Sequence, residues 1–331
     1  MTTIRLGLLS FAHHHQYGYA NGIETLPDVE IAAIWDDNTE RGTAAAERYQ
    51  VPFVADIDAF LAREMDGVIV CTENVRHAEY AIKAAQAGKH VLCEKPIATS
   101  VADAEAIVAA CQEAGVKLQT AFPVRYFPST IALRDAVRSG AIGNPLAISA
   151  RNPGYCPQSW FVQPELSGGG AVMDHTVHVV DVLRWIFDAE VTSVSAEIDR
   201  RIYDFAADDT GLLMLTLSNG LPVSLDTSWS RPDTWPIWGG VTIDIIGDEG
   251  VASLDVFAET VNVASDQGKA FTWRSVNVVD TGNAELARAF ADAIRTDTEA
   301  LPSGVDGLRA MQVALAAYES ARRGEPVAIT L

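Results

Sequence analysis

At 331 residues, 48% of them apolar, the chain is long enough for two packed domains. A formal charge of −20 excludes nucleic acid as the expected partner, because phosphate neutralisation needs basic patches. No apolar run approaches the roughly 18 residues of a membrane helix, so no membrane partner is expected either. The first residues, MTTIRLGLLSFAHHH, lack a basic start and a small-residue cleavage site, so a cytoplasmic location is expected. Only five lysines occur, at Lys83, Lys89, Lys95, Lys117 and Lys269. An acid-rich, lysine-poor composition suits solubility in high salt, or an ordinary acidic protein of a GC-rich genome. Cys71, Cys93, Cys111 and Cys156 show neither CxxC spacing nor a histidine partner at finger spacing. They read as buried reduced thiols, and no metal site is expected.

Residues 4–9 read as a buried strand, followed by the loop SFAHHH and a helix to about Leu26. Strands follow at 29–35, 51–54, 67–71, 90–93 and 117–121. Helices fall between them at 43–49, 57–62, 75–87 and 101–114. Short apolar strands alternating with amphipathic helices mean a parallel sheet covered on both faces. That is an α/β Rossmann domain, expected over 1–122. From Pro123 the pattern changes. A helix at 129–139, a strand at 146–152 and a glycine-led helix precede β-rich runs at 191–202, 211–218, 221–230, 241–246, 251–256 and 260–264. Asn219-Gly220 between apolar runs signals a hairpin. The expectation for 123–331 is an α+β substrate-binding domain with a large, mostly antiparallel open sheet. Helices at 284–295 and 305–323 close the chain, and they are placed to pack back on the first domain.

In the first βα turn a dinucleotide site should carry GxGxxG. Here it reads Ser10-Phe11-Ala12-His13-His14-His15. Ser10 and Ala12 are small enough for backbone amides to approach a pyrophosphate at the helix N-terminus, and His13 and His14 add imidazole donors. Asp36, ending the second strand, stands where an acid commonly bonds the adenosine ribose and repels a 2′-phosphate. This favours NAD over NADP. Its rival role is a helix N-cap, which Asp37 or Asn38 can fill instead.

The second candidate site is GGGAVMDHTVHVVD, Gly168 to Asp181. Four residues of helix turn through about 400° and seven through about 700°, so Asp174, His178 and Asp181 share a stripe. The rest of that helix is nearly all apolar, hence buried, and ionisable groups there must be paired or used. His178 suits proton transfer. Asp174 is placed to anchor a hydroxyl or act on His178. Asp181 is expected to be scaffold, paired with Arg125 or Arg184. A metal site from Asp174, His175, His178 and Asp181 is the disfavoured alternative. The three glycines are expected to let the backbone approach a ligand or to let the loop flex. Arg125, Tyr155 and Trp160 are candidate substrate contacts, Trp160 foremost, with Arg151, Asn152 and Trp229 behind them.

CTENVRHAEYAIKAAQAGKHVLCEKPIA, TAFPVRYFP, GGGAVMDHTVHVVD and SGVDGLRAMQVALAAYESARRGEPV together resemble the glucose-fructose oxidoreductase / inositol dehydrogenase / MocA family over nearly the whole chain. The resemblance implies an NAD(P)-dependent oxidoreductase acting on a secondary alcohol of a sugar, inositol or related polyol. It implies Lys95 between nicotinamide and substrate, Asp174 and His178 on the substrate hydroxyls, and His178 as acid/base. It also implies Thr72, Asn74 and His77 near the nicotinamide ribose and Glu94 on a ribose hydroxyl. Glu73 stands where the family's motif has proline. Alternatives within the resemblance are a glycosidase or epimerase using NAD transiently, and a non-catalytic nucleotide-binding sensor. A wide sheet with one open face implies a homodimer or homotetramer.

Overall fold

The computed structural model describes residues 2–258, 260–265, 270–274 and 281–330. The chain separates into two compact units, one formed by residues 1–123 and 280–308, the other by 124–279 and 309–331.

The first unit runs β1 (Ile4–Leu9), α1 (His15–Glu24), β2 (Val29–Trp35), α2 (Thr39–Tyr49), α3 (Ile57–Leu61), β3 (Gly67–Val70), α4 (His77–Gln86), β4 (His90–Cys93), α5 (Val101–Glu113) and β5 (Leu118–Thr120). All five strands are parallel, in the order β2-β1-β3-β4-β5. The sequence reverses direction after β2, which leaves a crevice at the carboxyl ends of β1 and β3. Because helices cover both faces, the strands need no alternation, and Leu6, Leu8, Leu9, Ile34, Ile69 and Leu92 are all fully buried. The strand expected at 51–54 reduces to one bridge, Ile34 with Phe53, since Pro52 cannot donate to a ladder. Helix α2 starts earlier than expected, at Thr39, because the Asn38 side chain caps it by accepting from the Arg41 amide at 3.0 Å. A later segment, α9 (Thr281–Thr296), packs on α1 and completes this unit.

The second unit contains α6 (Pro128–Arg138), β6 (Pro145–Arg151), α7 (Pro164–Ser167), α8 (Ala171–Phe187), β7 (Val191–Asp199), β8 (Thr210–Leu217), β9 (Pro222–Asp226), β10 (Thr242–Gly247), β11 (Gly250–Asp255), β12 (Thr260–Ser265) and β13 (Ala270–Arg274). The division between units falls inside α10 (Gly304–Arg323), and β14 (Val327–Ala328) follows. Among the described residues the sheet has nine strands in the order β13-β12-β11-β10-β6-β9-β8-β7-β14. Every pairing is antiparallel except β6 with β9. The hairpin β8–β9 turns at Asn219-Gly220, with Gly220 at φ +88°. Strands β13 and β14 are additions to the sequence reading. Helices α6 and α8 cover one face. The alternation in β8 is correspondingly clean, with Leu213, Leu215 and Leu217 buried and Leu212 and Met214 exposed.

Candidate functional site

In the first βα turn Ser10 adopts φ +70°, the left-handed conformation that normally selects glycine. A non-glycine there costs about 1–2 kcal/mol, and the side chain offsets part of it: Ser10 Oγ accepts from the Ala12 amide at 3.1 Å. The neighbouring amides also turn inward. Phe11 donates to Asp36 Oδ2 at 2.7 Å, His13 to the Cys71 carbonyl at 3.0 Å and His15 to His13 Nδ1 at 3.1 Å. Internal acceptors thus hold the amides of Phe11, Ala12, His13 and His15. His14 is exposed at the N-terminus of α1, whose first three amides have acceptors: His15 in His13 Nδ1, Gln16 in the His13 carbonyl and Tyr17 in the His14 carbonyl.

Asp36, expected on the adenosine ribose, is engaged within the domain. Its carboxylate is buried and chelated by Arg41, with Nε to Oδ2 at 2.9 Å and Nη2 to Oδ1 at 2.7 Å. Arg41 is a residue the sequence reading missed.

At the opposite edge of the crevice, Thr72, Asn74, His77, Glu94 and Lys95 are all buried, on the turns after β3 and β4. Thr72 donates from Oγ1 to the Glu73 carbonyl at 3.1 Å. His77 faces main-chain carbonyls with both ring nitrogens, Pro96 at 2.8 Å and Thr72 at 3.3 Å. Burial lowers its pKa despite those carbonyls, so the ring is a neutral strut between the two turns. The peptide between Lys95 and Pro96 is cis.

Glu94 accepts from Tyr19 Oη at 2.6 Å and lies 3.1 Å from His15 Nδ1. Neither Tyr19 nor His15 was legible as a site residue. His13, His15 and Glu94 form a group of metal-type donors, the one such group among the described residues. However, His13 Nδ1 is an acceptor, so the neutral ring carries its proton on Nε2, 3.9 Å from Glu94 Oε1. Burial first, then the charges of His15, Lys95, His77 and His14, hold the His13 pKa well down. A protonated Nε2 offers no lone pair to a metal, which argues against a ligand set. Burial also pushes up the Cys71 and Cys93 thiols, reinforced by the Glu94 charge, and raises Cys111 to about 12, which leaves them unreactive.

Burial pushes the Glu94 pKa up, but His15, Lys95 and Tyr19 together outweigh it and the net shift is downward. A carboxyl lowered on folding contributes stability above its unfolded pKa and loses it as pH falls through the folded value. The urea midpoint of the wild type should therefore fall more steeply below pH 4.5 than that of Glu94→Gln. Parallel curves would refute this electrostatic assignment.

The second unit presents helix α8. All four amides at its start have acceptors, and none is left for a ligand. Gly170 donates to Asp208 Oδ1 at 2.9 Å and Tyr318 Oη at 3.0 Å, Ala171 to the Asp208 carbonyl at 2.9 Å, Val172 to Asp208 Oδ2 at 2.9 Å and Met173 to Tyr318 Oη at 3.2 Å. Tyr318 in turn donates to Asp208 Oδ1 at 2.7 Å. A Cβ on Gly170 would collide with the Asp208 carbonyl, and one on Gly169 with the Tyr318 hydroxyl. The glycines thus admit a cap built from distant residues, which replaces the expectation of ligand approach or loop flexing.

One turn in, Asp174 Oδ2 accepts from Trp229 Nε1 at 3.2 Å and lies 3.3 Å from His175 Nε2. His175 Nδ1 is 3.2 Å from the Thr227 carbonyl. Asp174 is therefore oriented by His175 and Trp229. His178 retains 9% exposure. Asp181 is fully buried and paired bidentately with Arg125, Nη2 to Oδ1 at 2.6 Å and Nε to Oδ2 at 2.7 Å. Arg184 takes Glu190 instead.

Trp160 stacks on Phe161 in a buried cluster with Ala171, Ala207 and Trp229. Tyr155 is half-buried, and its hydroxyl donates to the Trp235 carbonyl.

Residues 7–122 match the family profile described as the oxidoreductase family, NAD-binding Rossmann fold, and residues 130–253 that of the GFO/IDH/MocA C-terminal domain. The uncharacterised oxidoreductase YrbE of Bacillus subtilis (strain 168) is 29% identical over 94% of this chain and 92% of its own. D-apiose dehydrogenase of Paraburkholderia graminis is 29% identical over 98% and 88%, and myo-inositol 2-dehydrogenase of Thermotoga maritima 27% over 91% and 92%. Among solved structures, levoglucosan dehydrogenase in complex with NADH and levoglucosan shares the fold, with a TM-score of 0.92 at 23% identity over the whole of both chains. With both halves of the chain matched in order, the protein belongs to the GFO/IDH/MocA oxidoreductase family and carries its NAD-binding Rossmann domain.

Proposed function

We propose that the protein is an NAD-dependent dehydrogenase of a sugar, inositol or related polyol. The observation that carries this reading is the polar stripe of α8. Asp174 and His178 lie one turn apart on an otherwise buried helix, and Asp174 is aimed by Trp229 and His175. Relatives named for apiose and inositol oxidation support the substrate class. The exposed His14 and the turns carrying Thr72, Asn74, Glu94 and Lys95 would hold the dinucleotide. Bound NAD supplies a hydride acceptor at the nicotinamide. His178 takes the hydroxyl proton and Asp174 holds a neighbouring hydroxyl. Purified protein given NAD and a panel of polyols and aldoses should raise the absorbance at 340 nm with at least one of them. Silence across the panel would count against the reading.

The same proposal includes a cytoplasmic location, in keeping with four free cysteines, and a homo-oligomer. Leu146, Leu212, Met214, Ile246 and Val251 stand exposed on strands of the large sheet. Apolar groups in that number on one sheet suit a second copy of the chain. Light scattering should give at least a dimeric mass, reduced by Leu212→Asp with Met214→Asp; a monomeric wild type would sink the idea.

A further inference from the structure

The segment joining β9 to β10 turns large apolar side chains outward: Trp235 is 47% exposed, Ile237 39% and Trp238 55%. Trp160 and Trp229, by contrast, are buried. Indole rings left in water forgo the burial that drives folding, and a contiguous group of them marks a surface that something covers.

The backbone beneath these rings is tied down. Arg231 Nη1 donates to the carbonyls of Ile237, at 3.3 Å, and Gly239. Tyr155 Oη donates to those of Asp233, at 3.4 Å, and Trp235, and Asn152 Nδ2 to that of Gly240 at 2.8 Å. The Trp238 carbonyl accepts from the Tyr155 amide at 2.8 Å. The Arg231 guanidinium lies 5.2 Å from the centre of the Trp235 ring, and Trp238 meets Phe257 edge-on at 5.8 Å. A surface fixed before a ligand arrives loses little entropy when the ligand lands on it.

That backbone is also joined to the neighbours of Asp174. Just before the loop, Trp229 Nε1 donates to Asp174 Oδ2 at 3.2 Å, and the Arg231 amide donates to the Gly154 carbonyl at 3.0 Å. A Cβ on Gly154 would lie 2.8 Å from His175 Cε1 and 3.4 Å from the Trp238 carbonyl oxygen. Gly154 thus bridges the base of Trp238 and the imidazole that orients Asp174. The rim of the patch is polar, with Asp233 and Thr234 exposed and Arg231 half-buried. An indole face carries negative charge density. A pyranose offers it weakly positive C–H groups on the ring face and hydroxyls around the edge for the polar rim. We propose that Trp235 and Trp238 form a subsite for a second sugar ring: the polyol held by Asp174 carries a further sugar, which stacks on the indoles. The substrate is then a glycoside, a disaccharide or a glycosylated inositol, and not a single ring. This rests on the polyol-dehydrogenase reading and narrows its substrate class.

The test compares one ring with two. The full chain with NAD is assayed at 340 nm on glucose and myo-inositol, and on cellobiose, maltose and galactinol (a galactosyl inositol). At least one two-ring compound should have a kcat/KM about tenfold above that of its single ring, the worth of a good aromatic contact. Trp238→Ala should lower that ratio by about tenfold, chiefly through KM of the two-ring compound, as for a group that binds substrate and transition state alike. Trp238→Phe should retain most of the ratio. Trp235→Ala should lower it as well, and reads the same subsite should Trp238→Ala fail to fold. Faster turnover of the single rings throughout, or equal losses for one ring and two, overturns the subsite and leaves the dehydrogenase reading standing. A lower light-scattering mass for Trp235→Ser with Trp238→Ser assigns the rings to a second copy of the chain and likewise overturns it. Silence with all five compounds overturns the dehydrogenase reading, and the subsite with it.

Discussion

With His178 as the proposed acid/base, His178→Ala should lower turnover of the polyol by about 10²- to 10⁴-fold, the span that a positioned general acid or base contributes, and should leave the Kd for NAD unchanged. The expected size follows from the setting. His178 lies on the inner part of α8, whose neighbouring turns are buried apolar residues and whose first four amides are all capped. A side chain carried by such a helix is held in place, so its loss is not made good by a neighbour moving in. His175, the other imidazole of the helix, is committed to Asp174 and Thr227. Imidazole added to the assay should restore part of the rate in the alanine variant, which a merely structural loss would not allow. A kcat within threefold of wild type would remove His178 from the proton step.

The largest expected effect on stability lies one turn further along α8. Asp181→Ala leaves the Arg125 guanidinium buried without its bidentate partner, and such stranded charges cost about 3–5 kcal/mol. The pair itself contributes far less, because desolvation of both ions cancels most of their attraction. Arg125→Met combined with Asp181→Leu should therefore fold with a urea midpoint close to wild type, while either single variant falls well below it. Equal losses in the single and double variants would mean that the pair itself supplies the stability.

How far the sequence reaches depends on the range over which each feature is decided. The strands of the Rossmann domain are legible because both faces of its sheet are covered, so β1, β2, β3 and β4 are plain apolar runs. The β8–β9 hairpin is legible because Asn219-Gly220 fixes it locally. Strand β14 has two residues, too few to carry any period, and it exists only because β7 offers a free edge. The candidate site divides in the same way. The stripe of Asp174, His178 and Asp181 follows from helical geometry alone. That Asp174 faces His175 and Trp229 depends on where the chain after β9 comes to rest, and no spacing encodes that. Arg41 reads as an ordinary first-turn helix charge until the β2–α2 turn folds it back on Asp36. Glycines at 168–170 announce a close approach without naming what approaches.

The cap on α8 has a consequence for the order in which this chain can acquire its structure. Tyr318 is made some 145 residues after Met173, whose amide it receives, and α9 joins the first unit long after β5 has left the ribosome. During synthesis, then, neither unit is whole until the last tenth of the chain emerges. The helix that bears Asp174 and His178 spends that interval with two of its four leading amides lacking the Tyr318 hydroxyl.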